Sequence, residues 1–185
     1  MIPGLANRRR FSDLSEQEIL ALAISSEEDD ARIYRLYAER LREEFPDSAA
    51  VFDGMAKEED GHRASLVALH KARFGDVIPL IRREHVSGYY VRKPVWLIEN
   101  LGLDRMRAEA RAMEREAEAF YTKAAARPSD ADTRALLGQL AAAEAGHEVK
   151  AGELEEKHLG DDNRAREDED AHRKFVLTWE QPGLA

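Results

Sequence analysis

The stretch Glu58-Glu59-Asp60-Gly61-His62 decides how this chain is read, because Glu144-Ala145-Gly146-His147 repeats its chemistry. Both contain Glu-x-x-His. On an α-helix, residues three apart project within about 60° of one another, so a carboxylate and an imidazole at that spacing can hold one metal ion from a single helix. Flanking residues point each pair inward. Phe52, Met55, Leu66 and Leu69 share the helical face of the first pair, and Leu137, Leu140, Ala151 and Leu154 share that of the second. An ionised group left unpaired in such an apolar stripe is expensive, and a bound cation removes the expense.

Two more carboxylates fall on similar faces. The inward positions between Ile24 and Leu41 read Ile24, Glu27, Ala31, Tyr34, Ala38, Leu41, a three-four alternation. A third segment reads Met106, Ala110, Met113, Ala117, Phe120, with Glu114 at the edge of its stripe. Tyr34 follows Glu27 by seven residues, and Tyr121 follows Glu114 by seven. From single Glu to Glu-x-x-His the gap is 32 residues in the first half and 30 in the second. The chain therefore repeats a function with little repeat of sequence. One Glu-x-x-His is close to chance in so charged a chain. Two in phase with apolar stripes, each preceded by an inward Glu, favour a di-metal site over a purely structural ionic layer.

Composition narrows the class. The chain has 185 residues, enough for one domain with a real core, and is 43% hydrophobic and 35% charged, rich in helix formers. A net charge of −9 argues against nucleic acid as a partner. Without Cys there are no disulfides and no thiolate metal sites, a rubredoxin-type iron centre included. Met1–Arg10 lacks the apolar run of a secretory signal, and no segment reaches the length of a membrane span. The expectation is a soluble, cytosolic type of chain.

Residues 1–14 read as a loose basic lead-in, residues 15–160 as the bundle and residues 161–185 as a C-terminal helix or linker. Ser15 and Glu18 form a capping box that opens a first helix running to about Arg42. Phe45-Pro46-Asp47 turns the chain, with Asp47 as the cap of a second helix that stops at Phe74-Gly75. A third helix opens at Pro94, bends at Gly102 and ends before Arg127-Pro128. Ser129 or Asp130 caps a fourth, which runs to Gly160. Short connections make two antiparallel hairpins. The long crossover Asp76–Lys93, with Ile78, Leu80, Ile81, Val86, Tyr89 and Tyr90, packs along the bundle with a helical turn at Ile81–His85. This predicts an all-α, ferritin-like four-helix bundle. A fifth helix is expected from about Asn163 to Trp179, its apolar end (Phe175, Val176, Leu177, Trp179) needing a partner, either the bundle or another chain.

Four Glu and two His from four helices match the ligand inventory of a di-iron or di-manganese carboxylate site. Glu59 and Glu144 are the bridging candidates, Glu27 with His62 serves one metal, and Glu114 with His147 serves the other. Iron is the leading choice; manganese fits the same oxygen-rich set, and zinc would bind without redox work. The matched spacing of Tyr34 and Tyr121 predicts hydroxyl bonds to ligand carboxylates. Glu58 and Glu118 either assist a metal or belong to solvated faces. His70 and His158 continue the stripes, as a water-lined ion path or as satisfied edge histidines. His85 and His172 read as surface residues.

Glu27 with Tyr34, Glu59-x-x-His62 and Glu144-x-x-His147 resemble rubrerythrin-type ferritin-like domains. The runs Ser15–Tyr34, Arg82-Arg-Glu-His-Val-Ser-Gly-Tyr-Tyr90 and Phe175-Val-Leu-Thr-Trp-Glu-Gln-Pro-Gly-Leu-Ala185 are similar to the MbfA family of membrane-bound bacterial ferritins. In that family such a domain precedes a vacuolar-iron-transporter-like membrane domain. The resemblance covers essentially the whole chain. It implies an iron-handling module on the cytoplasmic side of the inner membrane, with Fe(II) and oxygen or hydrogen peroxide as partners and a role in iron export and oxidative stress. The ferritin-like halves and the bare apolar C-terminal end favour a homodimer. Rubrerythrins carry a further Glu three residues after the third-helix ligand. Here that position is Ala117, so a seventh ligand is missing unless Glu118 replaces it. They also carry a four-cysteine iron centre that this chain lacks, which favours Fe(II) binding and oxidation over reductant-driven peroxidase turnover. The competing function is a non-enzymatic iron or manganese sensor or delivery module for an attached transporter.

Overall fold

A computed structural model describes residues 8–87, 102–127 and 130–158, with side chains in the last helix described to residue 147. Four long helices dominate: α1 (Glu16–Leu41), α2 (Pro46–Phe74), α3 (Leu103–Ala125) and α4 (Ala131–His158). The chain is the expected ferritin-like bundle of two hairpins, α1 packed on α2 and α3 on α4. The Pro94–Leu101 stretch, Tyr89, Tyr90, Ser129, Gly160 and the expected fifth helix lie outside the described residues.

Local chemistry sets the helix ends. The Glu18 amide donates to the Ser15 hydroxyl at 3.2 Å while the Ser15 amide donates to the Glu18 carboxylate at 2.8 Å, closing the capping box. The second helix starts two residues earlier than the Asp47 cap predicts, with Phe45 as its cap. Pro46 takes its first position, where a missing N–H costs nothing and φ is already helical, and Asp47 falls in the first turn. Gly75 stops that helix with φ of +84°, a conformation that an L side chain resists. The third helix does not run through a bend at Gly102. That residue is extended, at φ −67° and ψ 166°, and stands as the N-cap of α3. Asp130 caps α4 by accepting from the Thr133 amide at 3.0 Å.

Side-chain contacts orient the hairpins. Arg73, near the end of α2, pairs with Glu16 at the start of α1 and reaches Thr133 at the start of α4. At the opposite end, Arg107 in α3 donates to Ser48 in α2 at 3.2 Å. The start of α3 thus lies a full bundle length from the end of α2, and the crossover has to traverse it. Ile81 and Val86 are buried along the way, while Val77 and Leu80 stay exposed. A single turn of tighter helix forms at Arg83–His85, close to the expected one.

Arg83 holds the crossover to α1. Its guanidinium donates to both Asp30 oxygens, at 2.9 and 2.5 Å, and to the Ser26 hydroxyl at 3.0 Å, all three residues being buried. The residues preceding Ser15 are not loose from Arg9 onward. Arg9–Arg10 (β1) pairs in parallel with Val86–Ser87 (β2), and Phe11 and Leu14 insert into the core. Two apolar side chains only three residues apart anchor a segment whose arginines suggest solvation, and Arg9 pairs with Glu18. The core falls into two apolar clusters. One gathers Phe11, Leu20, Leu66, Phe120, Leu137 and Leu140; the other gathers Ile33, Tyr37, Phe52, Met55, Met106 and Met113.

Candidate metal centre

Ile24, Glu27, Ala31, Tyr34, Ala38 and Leu41 are all buried, so the inward face of α1 is the one its periodicity describes. Helix α2 contributes Glu59 and His62, α3 contributes Glu114, and α4 contributes Glu144 and His147. Each of the four glutamates is at most 3% exposed. Their donor atoms form two groups, Glu27-Glu59-His62-Glu144 and Glu59-Glu114-Glu144-His147, and within each group the atoms lie within 4.8 Å of one another. Glu59 and Glu144 belong to both groups, which is where bridging carboxylates would stand. The two imidazoles stack nearly parallel, ring centres 5.8 Å apart.

The groups cannot satisfy one another. His62 Nδ1 faces Glu59 at 3.2 Å, Glu144 at 3.2 Å and Glu27 at 3.5 Å, yet one N–H serves only one acceptor. Among the described residues, Glu27 Oε2 and Glu144 Oε1 are left without a hydrogen bond, as are Glu114 Oε2 and His147 Nδ1. His147 Nδ1 lies 3.3 Å from Glu114 and 3.7 Å from both Glu59 and Glu144. Buried polar atoms without partners are rare because each costs its desolvation. Here four of them converge on the same small volume. An oxygen-rich donor set with one imidazole per group fits two hard divalent cations.

Protons stand in for that charge. Burial pushes Glu59 up to about 11 and Glu114 up to about 8, well above the ordinary carboxylate range. For His62 burial alone would lower the value, but the facing carboxylates of Glu144, Glu27 and Glu59 outweigh it and raise the ring to about 12. His147 rises to about 11 in the same way, through Glu114 and Glu144. Glu144, also disfavoured by burial, is held at about 2 by the facing imidazoles of His147 and His62. The cluster thus keeps its ionised carboxylate beside its imidazolium ions.

Both tyrosines reach the centre. The Tyr121 hydroxyl donates to Glu27 and the Tyr34 hydroxyl donates to Glu114. Burial and the neighbouring carboxylates push both phenols well above 10, so they stay protonated donors. His70 is neither an edge residue nor part of this layer. It is fully buried about 16 Å along α2 from Glu59, its ring against Phe74 and its nitrogens without hydrogen-bond partners among the described residues. Sequence reasoning missed the buried Arg83-Asp30-Ser26 cluster beside Glu27. No periodic signal marks it, because Arg83 comes from the crossover.

A layer of four buried carboxylates and two imidazoles, drawn from all four helices of such a bundle, defines the class of ferritin-like carboxylate metal-site proteins. The Rubrerythrin family profile matches residues 18–155, and the chain belongs to that family. A hypothetical protein from Pyrococcus furiosus, Pfu-1136390-001, has a similar fold: TM-score 0.60 at 23% identity, covering 93% of this chain and 96% of that one. No curated protein matches the sequence. Among the described residues, no helix is long and apolar enough to cross a membrane.

Proposed function

We propose that the chain binds two iron ions through Glu27, Glu59, His62, Glu114, Glu144 and His147 and oxidises Fe(II) with oxygen or hydrogen peroxide. The observation that carries this reading is the pair of overlapping donor groups with four orphaned polar atoms at their centre. Glu27 and His62 would hold one ion and Glu114 and His147 the other, with Glu59 and Glu144 available to both. Tyr121 and Tyr34 keep Glu27 and Glu114 oriented without neutralising them, since each hydroxyl donates its hydrogen and retains it. Apolar clusters on both sides limit water at the layer. Bound iron supplies the one-electron chemistry, passing from Fe(II) to Fe(III). Manganese suits the same donors, and zinc would occupy them without redox work.

The wider role follows the family resemblance. We take the chain to be the iron-handling portion of an MbfA-type ferritin, dimeric, at the cytoplasmic face of the inner membrane beside a transporter domain, and serving iron export and detoxification under oxidative stress. Ala117 in place of a further carboxylate supports the sensor or delivery alternative to this extent: it removes a group that could rearrange during turnover. Anaerobic loading with Fe(II), followed by air or peroxide and optical detection of Fe(III), separates the two. Repeated oxidation of many Fe(II) per chain is the expected result. Two bound ions without turnover would leave the sensor reading, and no bound iron would overturn both.

A further inference from the structure

We infer that Glu58 is a positioning residue that holds the His147 imidazole by its outer nitrogen, making the two halves of the centre unequal. The inference rests on the di-metal reading above. His147 turns Nδ1 toward Glu59, Glu114 and Glu144, while its Nε2 bonds the Glu58 carboxylate. An imidazole that ligates through one nitrogen carries its proton on the other, and a carboxylate accepting that proton's hydrogen bond fixes both tautomer and ring plane. Glu58 can do this because it sits one residue before Glu59, about 100° around α2 from the inward face. Its side chain is 44% exposed while the ring it touches is 2% exposed.

The second Glu-x-x-His lacks a counterpart of Glu58. The residue preceding Glu144 is Ala143, which has no group to offer His62. Nδ1 of His62 faces Glu27, Glu59 and Glu144, and among the described residues no side chain accepts from its Nε2. The His62 side chain is also more open, at 16% exposed. One imidazole is therefore clamped between metal layer and carboxylate, and the other is held from one side only. The ion bound by Glu59, Glu114, Glu144 and His147 is the tighter of the two, and Glu58 makes it so.

Anaerobic calorimetric titration with Mn(II) tests this on wild type, Glu58→Ala and Glu58→Gln. Wild type should take up two ions of different affinity. Glu58→Ala should weaken the tighter ion by about 10–100-fold and leave the other unchanged. Glu58→Gln, whose amide oxygen still accepts from Nε2–H, should keep most of that affinity. In Zn(II)-loaded protein with labelled histidine, the His147 Nε2–H resonance should persist against solvent exchange in wild type and Glu58→Gln and disappear in Glu58→Ala. Two ions bound as in wild type by Glu58→Ala would overturn the positioning role alone, as would equal weakening by both substitutions. Wild type that takes up no Mn(II) would overturn the di-metal reading, and this inference with it.

Discussion

The Tyr121 hydroxyl donates to the Glu27 carboxylate across 94 residues of chain, and Tyr34 does the same for Glu114 across 80. Each tyrosine serves the carboxylate of the opposite hairpin and not the Glu seven residues before it. The two hairpins are therefore joined through the centre itself. Replacing Tyr121 by Phe strands a further Glu27 oxygen in the core, beside one that already lacks a partner. We expect Tyr121→Phe to destabilise the metal-free protein by about 1–3 kcal/mol in urea unfolding. An unchanged midpoint would show that the bond contributes nothing net.

Metal should stabilise the fold by mass action, by about 3 kcal/mol for one site at a hundredfold excess over Kd. Glu144 belongs to both donor groups and Glu27 to one. Glu144→Ala should lose the increase in melting temperature produced by Fe(II) or Mn(II), while Glu27→Ala keeps part of it. Both variants should retain the helical circular dichroism of the wild type. Equal metal-induced shifts in wild type and Glu144→Ala would place the ions elsewhere.

Metal uptake should release protons at neutral pH. An ordinary imidazole would put the competition between proton and metal near about 6. The fold moves it upward, because Glu114 holds its proton to about 8 and Glu59 and His147 hold theirs to about 11. These folded-state values are raised, so protons compete more strongly as pH falls, and apparent affinity should climb steadily from pH about 6 to 8. Calorimetry of Mn(II) binding in buffers of different ionisation enthalpy counts the released protons. Uptake with no proton release would contradict the protonated cluster.

Arg83 and Asp30 form a buried pair that anchors the crossover beside Glu27. Removing either partner takes the bidentate ion pair from a buried charge, so Arg83→Ala or Asp30→Ala should each cost about 3–5 kcal/mol. The double variant should cost less than the sum of the two. A double-mutant cycle by chemical denaturation measures the coupling, and additive costs would show that the two residues act independently.

The spacing of residues along the chain determined a large part of this protein. Glu-x-x-His places two donors on one helical face wherever a helix forms, and the apolar residues at matching offsets set which face turns inward. Ser15 with Glu18, and Gly75 after Phe74, mark helix ends through bonds and backbone angles that span only a few residues. These features are legible because helix geometry converts sequence distance directly into direction. Contacts between helices follow no such rule. That Tyr121 meets Glu27 and not Glu114, that Glu58 reaches His147, and that Arg83 pairs with Asp30 depend on which faces stand opposite once the hairpins dock. Phe11 and Leu14 likewise anchor the N-terminal segment only because the crossover lies beside it and offers Val86–Ser87 as a pairing edge. Gly102 caps α3 as an extended residue although helical spacing runs through it. Tertiary packing decided these, because their partners lie tens of residues apart and share no local period.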